Sequence, residues 1–552
     1  MSIELDTLSY ALLASIFGAA TLLSIKNSKE ADIHPLLLNN QANVSPLRHP
    51  GESAIYRSRA STFGSPLLAT FDRNVRTLHD LFQDDVFAKH GSTPFVGAHT
   101  KNGYEWHNYD TVGSRCEHIY AGLCNVGGLE PRSGTESSFV GIYASNSPDT
   151  VLAQIACHRH GLVTIPIGAH SSSSHVSHIL RNTSLKLLLV DEALLDRTLS
   201  LVDETTALKY IVTFGASSSE QKQAAEKVGI HLVSLTEVQD KGQLASVESV
   251  RPVPEDMASI YFRGKQGIIL THKNLLSSIA SYLLIYTAIL TQPHKITAKD
   301  RLMHTYPIDH VFGYVLTGAF CTIGASVAIG HEVDEEANID LSSVLATVAE
   351  AKPTVFGSVK PFFEQVKGRV ESQYGNSFLF RRGYDKKQHH LAEGRLVNDT
   401  KYDMLVFRDI RQKLFGGHLR IAYIENGFEA DDLVSFLRVV LGAQILKAFN
   451  QTETTGTATV SMCFDYGADP AAFGAPLACN EVKLLDLPER QYSSEDQPNP
   501  RGEIWVRGNN VFAGYWKDPE ATAQVVDSDG WYTTGMIGEF LPNGAIKLLS
   551  QK

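Results

Sequence analysis

The sequence predicts an α/β protein in which a doubly wound parallel sheet is followed by a smaller β-rich unit. Apolar strand-like segments alternate with helix-prone segments between residues 139 and 228, and short segments of alternating hydrophobicity follow Phe473. The 552 residues, 43% of them hydrophobic, are also enough for two or more packed cores. In a doubly wound sheet, ligands sit beyond the carboxyl ends of the strands, so candidate site residues are expected there.

The first clear unit of this fold is a β-α-β segment. The apolar run FVGIY at 139–143 predicts a strand, which the turn-forming residues SNSP at 145–148 end. A helix is expected at 149–161 and a second strand at 162–167. Further predicted elements are strands at 185–191 and 210–214, a helix at 217–228, and short strands of the β-rich unit at 482–485, 502–506 and 545–549.

The N-terminal segment predicts a membrane anchor at 1–26. Residues 7–25 carry no charge, and a run of nineteen residues can just span a bilayer. Lys26 and Lys29 follow this run, which favours a body on the cytosolic face of the endoplasmic reticulum or a similar organelle. The alternative is an amphipathic or buried helix, because serine and threonine dilute the run. Residues 27–85, rich in Ser, Pro, Asn and Arg, predict an extended arm.

Charge and motif content exclude several classes of function. The net charge of -11 offers no basic field for a polyanion, so we expect no nucleic-acid partner. The six cysteines are scattered without a C-x-x-C pair, which fits reduced thiols better than a disulfide framework or a zinc site. The chain has no G-x-S-x-G elbow and no G-x-G-x-x-G turn after a strand, so hydrolase and dinucleotide-binding functions have no support.

Three motifs near the C-terminal end carry a family resemblance. They are NQTET at 450–454, PRGE at 500–503 and DGWYTTGM at 529–536. In this order and spacing they resemble the adenylating domain of acyl-CoA synthetases, most closely the long-chain fatty acid branch. The resemblance is nearly continuous over 473–552 and extends back to Phe139 through segments such as GIYASNSPDTVLAQIAC.

The resemblance implies a fold, a reaction and a set of ligands. The fold would be the large N-terminal domain of adenylate-forming enzymes, with two α/β AMP-binding subdomains at 86–472 and a small β-barrel-like subdomain at 473–552 that ends at the hinge. The small C-terminal domain of the family is not found in this sequence. The implied reaction converts a fatty acid, ATP and CoA to acyl-CoA, AMP and pyrophosphate, with Mg²⁺ as the metal.

The resemblance also assigns site residues. Thr452 would contact phosphate and Glu453 would coordinate Mg²⁺, as a hard oxygen ligand, and these two form the predicted catalytic pair. Phe449, Asn450 and Gly267 belong to the implied ATP site, where Phe449 would stack on adenine. A glutamate that caps a turn would give the same local pattern as Glu453.

On the acyl side, PIDHVFG at 307–313 matches the Pro-x-x-His-x-Phe turn of the family and assigns His310 to the substrate tunnel. The alternative for His310 is a histidine satisfied inside the core.

Several positions depart from the family pattern. Only FRGKQ at 262–266 stands where the family has a Gly-rich phosphate loop, and ENGFE at 425–429 replaces a Gly-Gly-Ala-Pro-Leu run. Met536 stands where an aspartate would bind the ribose, and the hinge motif reads Ser550-Gln551-Lys552. These departures predict impaired or lost activity.

Two classes of function follow. One is a ligase, active alone or with a protein partner that supplies the missing domain. The other is a non-catalytic pseudoenzyme that binds fatty acid or acyl-CoA, or serves as a scaffold. An error in the gene model is a third alternative, although it would not change single residues such as Met536 inside an intact motif.

Overall fold

The computed structural model covers the body of the chain. It describes residues 31–552 except 47, 102, 204–205, 246, 290–293, 335–338 and 426–431, together with Ser15 and Gly18. The predicted anchor at 7–25 therefore lies outside the described residues, apart from Ser15 and Gly18. Within the described part, no helix is both long enough and apolar enough to cross a bilayer.

Strands of the described residues form three sheets, of eight, nine and six strands, which we call the first, second and third sheet. The first sheet contains the predicted β-α-β unit: Phe139–Ala144 and Val163–Gly168 pair in parallel, joined by the helix Pro148–Arg159. Ser147 caps this helix and Pro148 occupies its first turn, which explains the sharp start. The strands in spatial order are Gly514–Tyr515, Gln266–Thr271, Met257–Arg263, Val163–Gly168, Phe139–Ala144, Leu187–Val190, Tyr210–Thr213 and His231–Ser234.

The second sheet has a parallel centre and antiparallel edges. Its parallel strands from Pro94–Thr100 to Gln444–Gln451 place their carboxyl ends along one edge. The strands in spatial order are Ala475–Pro476, Gly456–Val460, Gln444–Gln451, Ile421–Glu425, Val355–Val359, Arg301–His304, Ser326–Ile329, Pro94–Thr100 and Gly103–Asn108. Two parallel-centred sheets confirm the predicted α/β class.

The third sheet is antiparallel and takes strands from both ends of the chain. The strands in spatial order are Ala42–Val44, Tyr56–Ser58, Asn480–Leu485, Arg501–Gly508, Tyr532–Phe540 and Ile546–Gln551. Its two outer strands do not pair with each other in the described residues, so the unit predicted to resemble a barrel is an open sheet. The stretch expected to be an extended arm contributes two of these strands, and Tyr56 stacks on Phe540 with ring centroids 3.6 Å apart.

Helices connect the strands of the two large sheets. The α-helices of the described residues are Pro35–Leu38, Phe87–His90, Tyr109–Gly127, Pro148–Arg159, Ser173–Thr183, Leu195–Ser200, Ser219–Lys227, Leu235–Leu244, His272–Leu284, Val311–Ile323, Leu341–Ala351, Lys360–Tyr374, Phe378–Ala392, Arg408–Phe415, Leu433–Leu441 and Pro519–Val525. Wider π-helical turns occur at Asp80–Val86, Ile285–Ile289 and Asp403–Phe407, and short 3₁₀ turns at Glu136–Ser138, Glu192–Leu194, Thr452–Thr454 and Pro488–Arg490.

The carboxyl ends of the first and second sheets meet at a common cleft. Asn146, just after the strand Phe139–Ala144, donates from its side-chain amide to the Tyr306 carbonyl at 2.5 Å. One continuous hydrophobic core contains residues of both sheets, including Ile142 and Val355. The fold therefore gathers the loops that follow the strands of both sheets, as expected for a doubly wound architecture.

Candidate functional site

A tight β-hairpin occupies the place of the expected phosphate loop. Strands Met257–Arg263 and Gln266–Thr271 pair in antiparallel fashion, and Gly264 and Lys265 alone connect them. Gly264 adopts a φ of +58°, which glycine reaches without steric cost at the first position of a two-residue turn. A ring nitrogen of His178 lies 2.9 Å from the Lys265 carbonyl oxygen. The turn is thus closed on itself and held against the neighbouring helix.

Gly267 lies inside the second strand of this hairpin. A Cβ atom there would come within 2.9 Å of the Phe262 ring and 3.0 Å of the Trp516 Cβ. The Trp516 N–H donates to the Gly267 carbonyl at 2.7 Å. Close packing around the strand therefore explains why residue 267 is a glycine. The assignment of Gly267 to an ATP site stays a prediction.

The Thr452–Glu453 pair sits at the carboxyl end of a central strand of the second sheet. The strand Gln444–Gln451 runs directly into the 3₁₀ turn that holds both residues. Arg263 donates from Nε to the Thr452 hydroxyl at 3.2 Å, and the Tyr515 hydroxyl donates to Glu453 Oε1 at 3.1 Å. The structure therefore brings the predicted pair together with a guanidinium and a phenol. The sequence places Arg263 in the FRGKQ segment that replaces the phosphate loop, and it gave no signal for Tyr515.

Glu453 is a largely buried carboxyl group. Burial raises the pKa of Glu453, while the Tyr515 hydrogen bond and the Arg263 charge act in the opposite direction. No cluster of three or more His, Cys, Asp or Glu side chains suited to a metal occurs in the part of the chain that the structure describes. A Mg²⁺ ion at this position would meet the Glu453 carboxylate in a desolvated setting.

The residues assigned to adenine and ribose face an apolar core. Phe449 and Met536 are both buried in the hydrophobic cluster beneath the third sheet, together with Phe473. The side-chain carbonyl of Asn450 accepts from the Thr457 hydroxyl at 2.6 Å. The thioether of Met536 is a weak acceptor at best, so this position offers no ribose contact comparable to that of a carboxylate.

Partly buried His310 lies beside the buried carboxylate of Glu425, a contact that the sequence did not predict. Its Nε2 lies 2.9 Å from Oε1 of Glu425, the last residue of the strand Ile421–Glu425. Its ring also stacks on Tyr306, with centroids 4.9 Å apart. Residues 426–429, the rest of the ENGFE segment that replaces the family's Gly-Gly-Ala-Pro-Leu run, lie outside the described residues. The Glu425 side chain instead contacts His310, the histidine that was assigned to the substrate tunnel.

A chain of aromatic rings leads from His310 to a cavity. Tyr306 contacts Phe312 at 5.4 Å between ring centroids, and Phe312 contacts Tyr423 at 5.8 Å. Tyr423 lines a cavity of about 600 Å³. The rings between the cavity and His310 are fully buried, so His310 is separated from the cavity by packed side chains.

The cavity lies between the N-terminal arm, the second sheet and the helix His272–Leu284. Its inner wall is apolar and includes Leu284, Leu446, Val460, Met462 and Leu477. Its polar lining comes largely from the arm. Asp32 accepts from the Tyr466 hydroxyl at 2.8 Å, and Arg59 donates to the carbonyls of Leu37 and Asn40 at 3.3 Å each. Size and composition are those of a small-molecule site.

Comparison with known proteins gives the family. The family model described as "AMP-binding enzyme" matches residues 83–516, more than half of the chain. The chain belongs to the AMP-binding enzyme family. Among relatives of this AMP-binding enzyme, Long-chain-fatty-acid–CoA ligase 5 of Mus musculus is 28% identical over 550 residues, which cover 97% of this chain and 76% of the relative. Long chain acyl-CoA synthetase 7, peroxisomal, of Arabidopsis thaliana is 26% identical over 558 residues, which cover 98% of this chain and 75% of that relative.

Solved structures show the same AMP-binding fold. The A domain of a carboxylic acid reductase from Segniliparus rugosus, in complex with AMP and a co-purified carboxylic acid, matches with a TM-score of 0.66 and 18% identity, covering 89% of this chain and 75% of that chain. A long-chain-fatty-acid–CoA ligase from Archaeoglobus fulgidus matches with a TM-score of 0.65 and 19% identity, covering 88% and 86%. The fold expected from the resemblance is confirmed.

Proposed function

We propose that this AMP-binding enzyme is a member of the long-chain fatty-acid–CoA ligase branch in which the ATP-dependent step is impaired or lost. The relatives' names supply the branch and two substrates, a long-chain fatty acid and CoA. ATP as the third substrate comes from the family resemblance. The closed turn at Gly264 and Lys265 is the main observation that supports loss of the ATP-dependent step. A triphosphate needs several converging backbone amides, and a two-residue turn supplies too few.

Two further observations support this proposal. Met536 packs in an apolar cluster with Phe449, so a ribose would have to disrupt the core to reach this position. Glu453 already accepts from Tyr515 and is desolvated, which disfavours the ionised form that Mg²⁺ requires. The residues present therefore do not fit Mg²⁺-ATP, and we assign no chemical step to it.

The alternative is an active ligase of the same branch. Retention of Thr452 and Glu453, with Arg263 placed on Thr452, favours this alternative.

A pyrophosphate-exchange assay distinguishes a protein with impaired adenylation from an active ligase. We expect the purified full chain with palmitate, Mg²⁺ and ATP to show exchange no greater than its Glu453→Ala variant, because neither protein would form acyl-AMP. Exchange in the unsubstituted chain that is well above the E453A variant would contradict the proposal and restore the ligase.

A second candidate function is non-catalytic binding of fatty acid or acyl-CoA. The apolar cavity of about 600 Å³ favours it, because burial of a long alkyl chain gains about 0.8 kcal/mol per methylene before ordering costs. Arg59 at the lining of the cavity supplies a cation that a carboxylate could meet. This binding would need no nucleotide.

We also propose that residues 7–25 anchor the protein in a membrane with its body on the cytosolic face. The uncharged run and the trailing lysines support this assignment.

A further inference from the structure

An exposed apolar patch lies on two neighbouring helical elements, away from the candidate site. Phe378 and Leu379 begin the helix Phe378–Ala392 and are 71% and 42% exposed. Met404 and Leu405 lie in the π-helical turn Asp403–Phe407 and are 74% and 62% exposed. Four large apolar side chains at this exposure on adjoining elements are unusual on a soluble surface and indicate an interaction face. We call these four residues the apolar patch.

The two elements that carry the patch are locked together. The rings of Phe380 and Phe407 lie 5.4 Å apart, and a Cβ on Gly383 would come within 2.8 Å of the Phe407 ring. Beneath them, the buried Lys387 ammonium donates to Asp403 at 2.7 Å. The patch is therefore presented by a rigid unit, because close packing and a buried ion pair fix both supports.

Exposed cations lie on or next to the two elements that carry the patch. Arg381, Arg382 and Lys386 are exposed on the helix, and Lys401 and Arg408 are exposed on either side of the π-helical turn. Among the described residues, Arg381, Arg382, Lys386 and Arg408 form no ion pair, whereas the nearby Asp403 and Asp409 are paired with Lys387 and Lys413. Asp385 on the same helix and Asp409 next to Arg408 are exposed acids. Residues 377–411 thus carry eight Lys and Arg against five Asp and Glu, in a protein of net charge -11.

The segment that follows the predicted anchor docks at the far end of the same helical unit. The Asp32 N–H donates to the Gly394 carbonyl at 2.9 Å, and the Leu396 N–H donates to Asp32 Oδ2 at 2.9 Å. Gly394 lies just after the helix Phe378–Ala392, whose 15 residues span roughly 22 Å. The docked segment and the start of the helix that carries Phe378 and Leu379 are therefore about one helix length apart.

We propose that the apolar patch and its basic rim dock on a bilayer surface that contains anionic lipids. Exposed aromatic and aliphatic side chains enter the boundary between headgroups and acyl chains, and unpaired arginines and lysines attract anionic headgroups. The assignment of a bilayer rather than a protein partner rests in part on the proposed anchor. It does not depend on whether the nucleotide site works. Docking would hold the protein body flat against the membrane at a second point.

A fluorescent label at the patch tests this proposal in the full chain. Met404→Cys is labelled with the environment-sensitive dye NBD and mixed with vesicles of phosphatidylcholine alone or with added phosphatidylserine. We expect a blue shift and a gain in emission with the phosphatidylserine vesicles. The vesicle concentration at half-maximal response should rise at least about tenfold when Arg381→Glu and Arg382→Glu are added, because reversing two cations removes their attraction.

Controls separate docking from general exposure. Leu244→Cys carries the same dye at a site that is 90% exposed, and the unsubstituted labelled chain reports dye on Cys124, which is half-buried. Arg73→Glu with Arg76→Glu matches the charge reversal elsewhere on the surface. The proposal would be overturned if the dye at residue 404 did not respond, or if the dye at residue 244 responded equally. It would also be overturned if the response at residue 404 were unchanged both by phosphatidylserine and by the Arg381 and Arg382 reversals. A shift that grows with protein concentration without vesicles would assign the patch to a second copy and also overturn it.

Discussion

At the scale of the residue, the Glu332 side chain lies in the cleft between the two large sheets. Its Oε1 accepts from the Asn146 N–H at 2.6 Å, so it contacts the loop after the first strand of the β-α-β unit. Burial raises the pKa of Glu332 to about 8, and the Asn146 hydrogen bond opposes this only in part. The nearby carboxylates Asp309 and Asp191 raise it further. Glu332 is therefore protonated in the folded protein at pH values where an unfolded chain ionises it.

This shift predicts a pH-dependent loss of stability. The unfolded pKa of glutamate is about 4.3, so between that value and about 8 the folded state binds the extra proton and stability falls as pH rises. Glu332→Gln keeps an acceptor for Asn146 without ionising. We expect E332Q to be more stable than the unsubstituted chain by roughly 1 kcal/mol or more near pH 9 and nearly equal to it near pH 4, measured as melting temperature.

The exposed Glu489→Gln variant is the matched control and should leave the pH profile unchanged. Parallel pH profiles for E332Q and the unsubstituted chain would contradict the prediction.

At the scale of the element, the hairpin at 257–271 is the main reason to expect that the protein does not bind ATP. Its turn has two residues because the chain between the strands is short, and the sequence contains that fact directly. The left-handed conformation of Gly264 then closes the turn with no other atom within 4 Å of a hypothetical Cβ. Space is available at this position, and only the backbone conformation demands glycine.

A substitution at this turn separates backbone strain from crowding. Gly264→Val should lower the free energy of unfolding by about 1–2 kcal/mol, because a β-branched residue is strained at positive φ. Gly467→Val is the control, since Gly467 is exposed, has equal free space and lacks a positive φ. Chemical denaturation of both variants provides the comparison. Equal losses for the two variants would show that the turn does not require glycine.

At the scale of the whole molecule, the cavity depends on three distant parts of the chain. The arm supplies Asp32 and Arg59, the helix His272–Leu284 supplies Leu284, and the second sheet supplies Tyr423. Pairing of Tyr56–Ser58 with Asn480–Leu485 fixes the arm in the third sheet next to this cavity. Acyl binding in the cavity would thus be a property of the assembled fold, and a nucleotide would have no part in it.

Filling the cavity should abolish this binding. We expect a fluorescent long-chain fatty acid to bind the full chain with micromolar affinity that is unchanged by ATP or Mg²⁺. Leu284→Trp should weaken binding at least about tenfold, because the larger ring occupies the space of the alkyl chain. Leu194→Trp, at a half-buried leucine that does not line this cavity, is the control. Equal binding by L284W and the unsubstituted chain, or no binding at tens of micromolar, would exclude the cavity as the site.

Much of the fold could be predicted because its signals are local. The period of apolar residues and the turn residues at 145–148 indicated the β-α-β unit, and the observed strands and helix lie within a few residues of the expected ones. Thr452 and Glu453 were placed together simply because they are adjacent. The open third sheet was harder to predict, because closure depends on how the outer strands, one of them from the arm, are arranged in space.

The sequence by itself determined the family, the alternating α/β order and the shortness of the turn at Gly264. Each of these is written in neighbouring residues or in motif spacing. Only the tertiary structure decided that His310 faces Glu425, that Tyr515 donates to Glu453 and that the arm lines the cavity. These contacts join residues far apart in the chain, and their partners are selected by the packing of sheets and helices, which no local pattern encodes.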